Sequence, residues 1–196
     1  MLTQLTTVKA RLALDPLDPT HDALLTAAIV AIGTRFDQET NRTLERTENA
    51  TFEFPADDTE ILVPHYPIES VSKFELKSSE TEGWIEQPGI EHLIRRRCVI
   101  SLDSPLRTPH SALCTGRVTY TGGYLVPGSP PAPEAIALPP DLEQAAIEQT
   151  AFWFQTRDLV GVIRQWPKGG SYVQFADIDL LPSVRAILAR HTRVVL

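Results

Sequence analysis

Five histidines, two cysteines and one run of three arginines are the groups here with chemistry to offer, and their spacing limits what they can do. His21, His65, His92, His110 and His191 are scattered, and none falls into an HxH, HExxH or HxxxH frame that would put two imidazoles on one metal. Glu91 and His92 are neighbours, but adjacent residues of a strand point to opposite faces, so they make no acid–base pair. Cys98 and Cys114 fit no zinc spacing and stand beside no activating motif. They read as two reduced thiols packed in a sheet, the alternative being a disulfide if their strands pair. No Gly-x-Ser-x-Gly elbow is present. In Lys168-Gly169-Gly170-Ser171 the lysine precedes the glycines, which matches no phosphate-binding frame and leaves a flexible hinge. Asn41-Arg42-Thr43 and Asn49-Ala50-Thr51 are glycosylation sequons in form, with meaning only in a secreted protein. The chain therefore offers no catalytic residue, no metal site and no cofactor motif. An enzyme whose site is gathered from distant residues is the competing reading, and Cys98, Cys114 and His92 would be its starting points.

Arg95-Arg96-Arg97 is the sharpest charged feature. Three guanidinium groups together suit DNA phosphates or the carboxylates of a partner, and the plain alternative is an exposed turn ahead of a strand at Val99. The formal charge of −7 makes this chain a poor DNA binder on its own, and no aromatic is interleaved for stacking single-stranded bases. A partner surface therefore ranks above nucleic acid. Residues 53–89 carry nine carboxylates against Lys73 and Lys77, whereas residues 90–118 carry Arg95, Arg96, Arg97, Arg107 and Arg117 against Glu91 and Asp103. Such a dipolar middle suits a surface that meets another charged surface, with a solvated sheet of mixed faces as the alternative.

The elements that must carry these residues follow from periodicity. Leu5, Val8 and Leu12 predict a short first helix, with Thr3 or Thr6 as its cap. Asp18-Pro19 predicts the start of a long second helix reaching about Leu44, its apolar stripe Leu25, Ile29, Ile32 and Phe36 widened by Leu24 and Ala28. After Thr47 the period changes. Runs at 51–55, 60–64, 71–76, 99–102 and 117–120 are short, β-branched or aromatic, and separated by turn residues, which predicts a small antiparallel sheet or sandwich of about five to seven strands. Residues 122–140 read as loop, with six prolines between Pro127 and Pro140 forming a semi-rigid spacer. Pro139-Pro140-Asp141 opens another long helix, with Leu142, Ala145, Ala146, Gln149, Phe152 and Trp153 inward. Residues 166–176 read as a mobile loop, and Leu181-Pro182 starts a last helix with Val184, Ile187 and Leu188 inward and Arg185, Arg190 and Arg193 outward. The expected fold class is α+β: a helical bundle from both chain ends with an inserted antiparallel β-rich lobe. Its expected parts are 1–48, 49–124, a linker over 125–140, and 141–196. An apolar share of 42% is ordinary for a folded domain, and no apolar run approaches the roughly 20 residues of a bilayer span. Met1-Leu2-Thr3-Gln4 opens without a basic or apolar leader, so the cytoplasm is the expected compartment.

In its order of motifs the chain resembles the head–tail connector, or adaptor, proteins of tailed bacteriophages and phage-like particles. The resemblance begins with Leu5-Thr6-Thr7-Val8-Lys9-Ala10-Arg11-Leu12 and its Asp/Pro turn, then a long helix from Asp22 ending near Glu39-Thr40-Asn41-Arg42-Thr43-Leu44. Tyr66-Pro67-Ile68-Glu69-Ser70-Val71 is similar to the "P-I-x-S-V" turn of that group, and Tyr120-Thr121-Gly122-Gly123-Tyr124 to its "Y-x-x-G-Y" strand end. Leu138-Pro139-Pro140-Asp141-Leu142-Glu143-Gln144-Ala145 is similar to its "L-P-x-D-L-x-x-A" helix start. The sheet segment over 70–118 and the proline-rich linker depart from the all-helical members. The resemblance implies a virion structural protein with no catalytic residues and no cofactor: a dodecameric homo-oligomeric ring beneath the portal protein, at the neck of the virion after assembly in the host cytoplasm. It implies a channel through which double-stranded DNA passes, a docking surface for the next neck or tail protein, and no membrane. It further implies that helices near Arg185, Arg190 and Arg193 reach the portal, and that the acidic 53–89 stretch meets the arginines of 90–118 on a neighbour. Another neck or tail-completion protein is the nearest alternative.

Overall fold

The computed structural model describes residues 1–106, 114–157 and 179–193. The chain divides into two compact units: a helical one from Met1–Thr40 and Leu138–Thr192, and a β-rich one from Asn41–Ala137 with Arg193. The fold is α+β, as the change of period predicts.

In the helical unit, α1 (Leu5–Arg11), α2 (Asp22–Thr40), α3 (Pro140–Thr156) and α4 (Pro182–His191) pack together. α2 buries Leu25, Ile29, Ile32, Phe36 and Thr40, a stripe set by the 3.6-residue turn. Leu24, expected to widen it, is 49% exposed because its side chain sits a further 100° around the helix. Val8 of α1 packs with Leu25 and Ile29, and Leu5, Leu12, Leu14 and Phe154 close the cluster. α2 starts later than Asp18-Pro19 suggests: Asp18 instead accepts a hydrogen bond from the Thr20 amide at 2.9 Å, capping a turn ahead of the helix. It also stops before Leu44, where Asn41 adopts φ 50°, a left-handed residue that ends helices. Gln4, not a threonine, precedes α1, and it makes no side-chain cap bond. In α3 the small residues Ala145, Ala146 and Ala151 are buried with Leu142 and Ile147, while Phe152, expected inward, is 37% exposed. α4 buries Val184 and Leu188. Leu181 at its start cannot cap it; the buried Gln149 of α3 does, its Oε1 accepting from the Leu181 amide at 2.9 Å.

Four antiparallel strands form the larger sheet of the β-rich unit, in the order β1 (Thr47–Pro55), β7 (Thr115–Gly122), β3 (Ile68–Lys77), β4 (Ile85–Glu86). Three more, β2 (Glu60–Leu62), β6 (Val99–Leu102) and β5 (His92–Arg95), form a second antiparallel sheet. One core joins them, with Phe54, Ile61, Val63, Phe74, Leu76, Ile100, Val118 and Tyr120 at its centre. Gly116 is required there: a Cβ on it would lie 2.6 Å from the Phe54 ring. Gly123 has φ +102°, and a Cβ there would lie 2.6 Å from the Glu45 carbonyl oxygen, which explains the second glycine of the Tyr120–Tyr124 run.

β5 escaped the strand pattern because His-Leu-Ile-Arg is short and leaves three of its four side chains exposed. β8 (Tyr124–Leu125) and β9 (Ile136–Ala137) form a two-residue parallel pair inside the stretch read as loop, and they bring the two ends of the proline segment together. The expected loop at 166–176 lies outside the described residues, as do His110 and Arg107. No described helix is long and apolar enough to cross a membrane.

Candidate interface surfaces

The three consecutive arginines occupy the tip of the β5–β6 hairpin. Arg95 pairs with Val99 at the last rung, and the Cys98 amide donates to the Arg95 carbonyl at 3.1 Å. Arg96 and Arg97 between them have φ 49° and 56°. Two successive left-handed residues define the primed turn that matches strand twist, and such turns ordinarily hold Asn-Gly. For two arginines this backbone costs roughly 1–2 kcal/mol each. The tip is also anchored: the Arg97 carbonyl accepts from the Ile68 amide at 2.7 Å, tying it to the first residue of β3.

Guanidinium partners differ along the run. Arg95 reaches Glu60 across the smaller sheet at 3.1 Å. Arg96 and Arg97 are exposed and make no ion pair among the described residues. Arg117, grouped with them by sequence, has a different role. It faces Glu75 across β7 and β3, with Nη2 2.8 Å from the carboxylate, and its guanidinium lies 4.2 Å from the Trp84 ring centre. Burial would raise the Glu75 carboxyl, but hydrogen bonds from Lys73 and Arg117 hold it below its usual range. The expectation that the arginines of 90–118 wait for carboxylates of a neighbour is thus met partly inside the chain, by Arg95–Glu60 and Arg117–Glu75.

At the same end of β3 as the hairpin tip, Arg46 holds Glu69 with two donors, Nε to Oε1 at 2.8 Å and Nη2 to Oε2 at 2.9 Å, and reaches Glu48 at 2.6 Å. Nearby, the buried Arg42 stacks 3.5 Å from the centre of the Tyr66 ring and donates to the Tyr66 carbonyl. Tyr120, fully buried, accepts from the His65 amide at 3.2 Å and lies 3.0 Å from His65 Nδ1. The geometry suits a tyrosine O–H donating to a neutral imidazole. Burial pushes the Tyr120 phenol up to about 12 and the His65 imidazole below its ordinary value.

The opposite end of the larger sheet, where Pro55 and Lys77 both pair with Thr115, is acidic. Glu75 and Glu80 have cationic partners there in Arg117, Lys73 and Lys77. Glu53, Asp58, Glu82 and Glu86 have none among the described residues.

Of the arginines expected near the C-terminus, Arg185 and Arg190 are exposed on α4, with Arg185 paired to Asp179. Arg193 does not face outward. α4 ends at His191, Thr192 is extended at φ −67° and ψ 134°, and the half-buried Arg193 donates to the Leu62 carbonyl with its guanidinium 5.9 Å from the Phe52 ring. His191 closes α4 onto the first turn of α3, with Nε2 3.1 Å from the Asp141 carboxylate. For Asp141 burial acts upward, and the His191 bond and charge outweigh it to hold the group low.

The residues of the enzyme alternative do not converge. Cys98 sits at the hairpin tip, Cys114 packs against the sheet core and His92 meets Phe74 edge-on at 5.4 Å. Both cysteines are free, no hydrogen bond joins any two of the three, and no cluster of three metal-ligating side chains exists among the described residues. No local sequence pattern marks the contacts of Arg42 with Tyr66 and of Arg46 with Glu69, or the pairing of His65 with Tyr120, since the partners lie 23 to 55 positions apart.

No family model matches the chain, and no curated protein matches it in sequence. Among solved structures it resembles a chain in the neck of an empty gene transfer agent particle computed with C6 symmetry. That match has 16% identity and a TM-score of 0.59 over 97% of this chain and 89% of the other. It also resembles one in the neck of the native particle computed with C12 symmetry, at 17% identity and a TM-score of 0.56 over 97% and 91%. A third, in the virion of the native gene transfer agent, has 17% identity and a TM-score of 0.56 over 92% and 82%. At these identities the likeness is one of fold, spanning both units.

Proposed function

We propose that this chain is a structural protein of the neck of a phage-like particle, and specifically the head–tail adaptor that forms a ring under the portal protein. In that role it extends the channel for double-stranded DNA and presents a surface to the next neck or tail protein. One observation carries the reading: the likeness to neck chains runs across 97% of this chain, helical and β-rich units together, and not over a common subdomain. The symmetry of those necks supports a homo-oligomeric ring of as many as twelve copies.

The exposed cations Arg185 and Arg190 on α4 are the proposed portal-facing groups, and Arg95, Arg96 and Arg97 the proposed contacts within the ring. Arg193, whose guanidinium donates to the Leu62 carbonyl, is left out of the proposed portal-facing set. Arg107 keeps its proposed interface role from sequence alone. Quantitative mass spectrometry of purified particles tests the reading by counting copies of this chain per portal subunit. A ratio near one is expected. A chain missing from the particles would refute it, and a ratio well away from one would transfer it to another neck or tail component.

A further inference from the structure

Within the β-rich unit, the cations and anions that form no ion pair among the described residues stand at opposite ends of the larger sheet. The Arg97 carbonyl ties the tip to Ile68 at the start of β3, whereas Glu86 pairs with Glu75 near its end, Glu53 pairs with Arg117 on the next strand, and Asp58 and Glu82 lie in the turns that follow β1 and β3. From Ile68 to Glu75 is seven residues of strand, on the order of 20 Å. The two surfaces cannot reach one another in one chain. They can meet when copies are arranged head to tail.

Resting on the ring reading above, we propose that the Arg96–Arg97 hairpin tip docks on the carboxylates Glu53, Glu82 and Glu86 of a second copy of this chain. The contact is heterologous, one end of the sheet against the other end of its neighbour's, which is the kind of interface that closes into a ring. Three observations support it. Near the tip Arg46 is paired with Glu48 and Glu69 and Arg95 with Glu60, while Arg96 and Arg97 are exposed and form no ion pair among the described residues. The left-handed backbone and the Ile68 bond hold the tip in one shape, so little freedom is lost on docking. A chain of net charge −7 offers such a tip carboxylates on every neighbour, whereas its overall charge repels DNA.

The test uses full-length chains with the tip reversed (Arg96→Glu with Arg97→Glu) or the acidic end reversed (Glu53→Lys, Glu82→Lys and Glu86→Lys). Self-association is read by sedimentation and cross-linking at low ionic strength, and copy number is read in particles. Each variant alone should associate at least tenfold more weakly than the parent chain. An equimolar mixture should recover, because reversed tips then meet reversed ends in an alternating ring. Arg96→Asn with Arg97→Gly, which suits the turn but removes both charges, should fold and fail to associate, so loss of folding cannot be mistaken for loss of contact. Normal association or normal copy number of the tip variants would overturn the inference while leaving the neck reading intact. So would loss of a duplex-DNA mobility shift that the mixture does not rescue, which would assign the tip to nucleic acid. A parent chain that neither self-associates nor enters particles would overturn both.

Discussion

Single side chains hold this molecule at points where burial raises the stakes. Lys9 is 2% exposed, and its ammonium pairs with Asp22 while donating to the carbonyls of Pro16 at 3.2 Å and Asp18 at 2.7 Å, so one cation fastens the whole α1–α2 connection. Lys9→Met keeps the stem and leaves those acceptors without a donor. It should cost about 2–3 kcal/mol of stability, measured by chemical denaturation. The His65–Tyr120 pair makes stability depend on pH at both ends. His65 titrates lower when folded than when unfolded, so its contribution is complete above the ordinary value of 6.5 and falls as the pH drops below it. Tyr120 is raised from 10.0 to about 12, so its contribution is complete below pH 10 and is lost as the pH climbs through that interval. Denaturation midpoints from pH 5 to 8 should decline toward acid, and His65→Gln should flatten the part of the slope that this residue supplies. An unaltered slope would remove His65 as a source.

The hairpin β5–β6 holds two arginines in left-handed backbone at its tip. Replacing Arg96-Arg97 by Asn-Gly should stabilise the isolated chain by roughly 1–2 kcal/mol, seen as a higher midpoint in thermal melts, because the substituted residues accept left-handed backbone more readily. If the melt is unchanged, the turn carries no strain. α4 depends on a neighbour in a similar way. Gln149→Leu removes the acceptor for the Leu181 amide, and hydrogen exchange across the first turn of α4 should quicken several-fold with α3 unaffected. Comparison with the sequence falls along the same lines. The α2 stripe was legible because burial of one face imposes a helical period on side-chain type, and strands β1, β3, β6 and β7 because their buried positions demand apolar or β-branched residues, consecutively so in β6 and β7. β5, β8 and β9 were not, being two to four residues long with little buried side chain. The end of α2 at Asn41 is set by one residue's backbone, and the inward turn of Arg193 by a contact 131 positions away, neither of which leaves a local pattern. Of the candidate site, the arginine run was legible as charge. That Arg95 and Arg117 are matched within the chain, leaving Arg96 and Arg97 exposed without ion pairs among the described residues, depends on strand register, which sequence spacing alone does not supply.

At the scale of the whole molecule, the proposed docking of one copy on another predicts a dependence on salt. If oppositely charged ends of neighbouring β-rich units join the ring, assembly should weaken steeply as salt rises from 0.05 to 0.5 M, since exposed pairs are screened over a Debye length of about 10 Å near 0.1 M. Sedimentation at several salt concentrations reads this directly, and association that strengthens with salt would point to an apolar contact instead. The division of the chain has a separate consequence, for heredity. The helical unit is encoded by the two outer parts of the gene and the β-rich unit by the uninterrupted middle, which leaves after Thr40 and returns at Leu138. One recombination event spanning residues 41–137 would exchange the entire β-rich unit except Arg193 and the residues after it, leaving the packing of α1 to α4 as inherited. Lineages of this protein can therefore change the β-rich middle as a cassette, and their genealogies for the outer and inner segments need not agree.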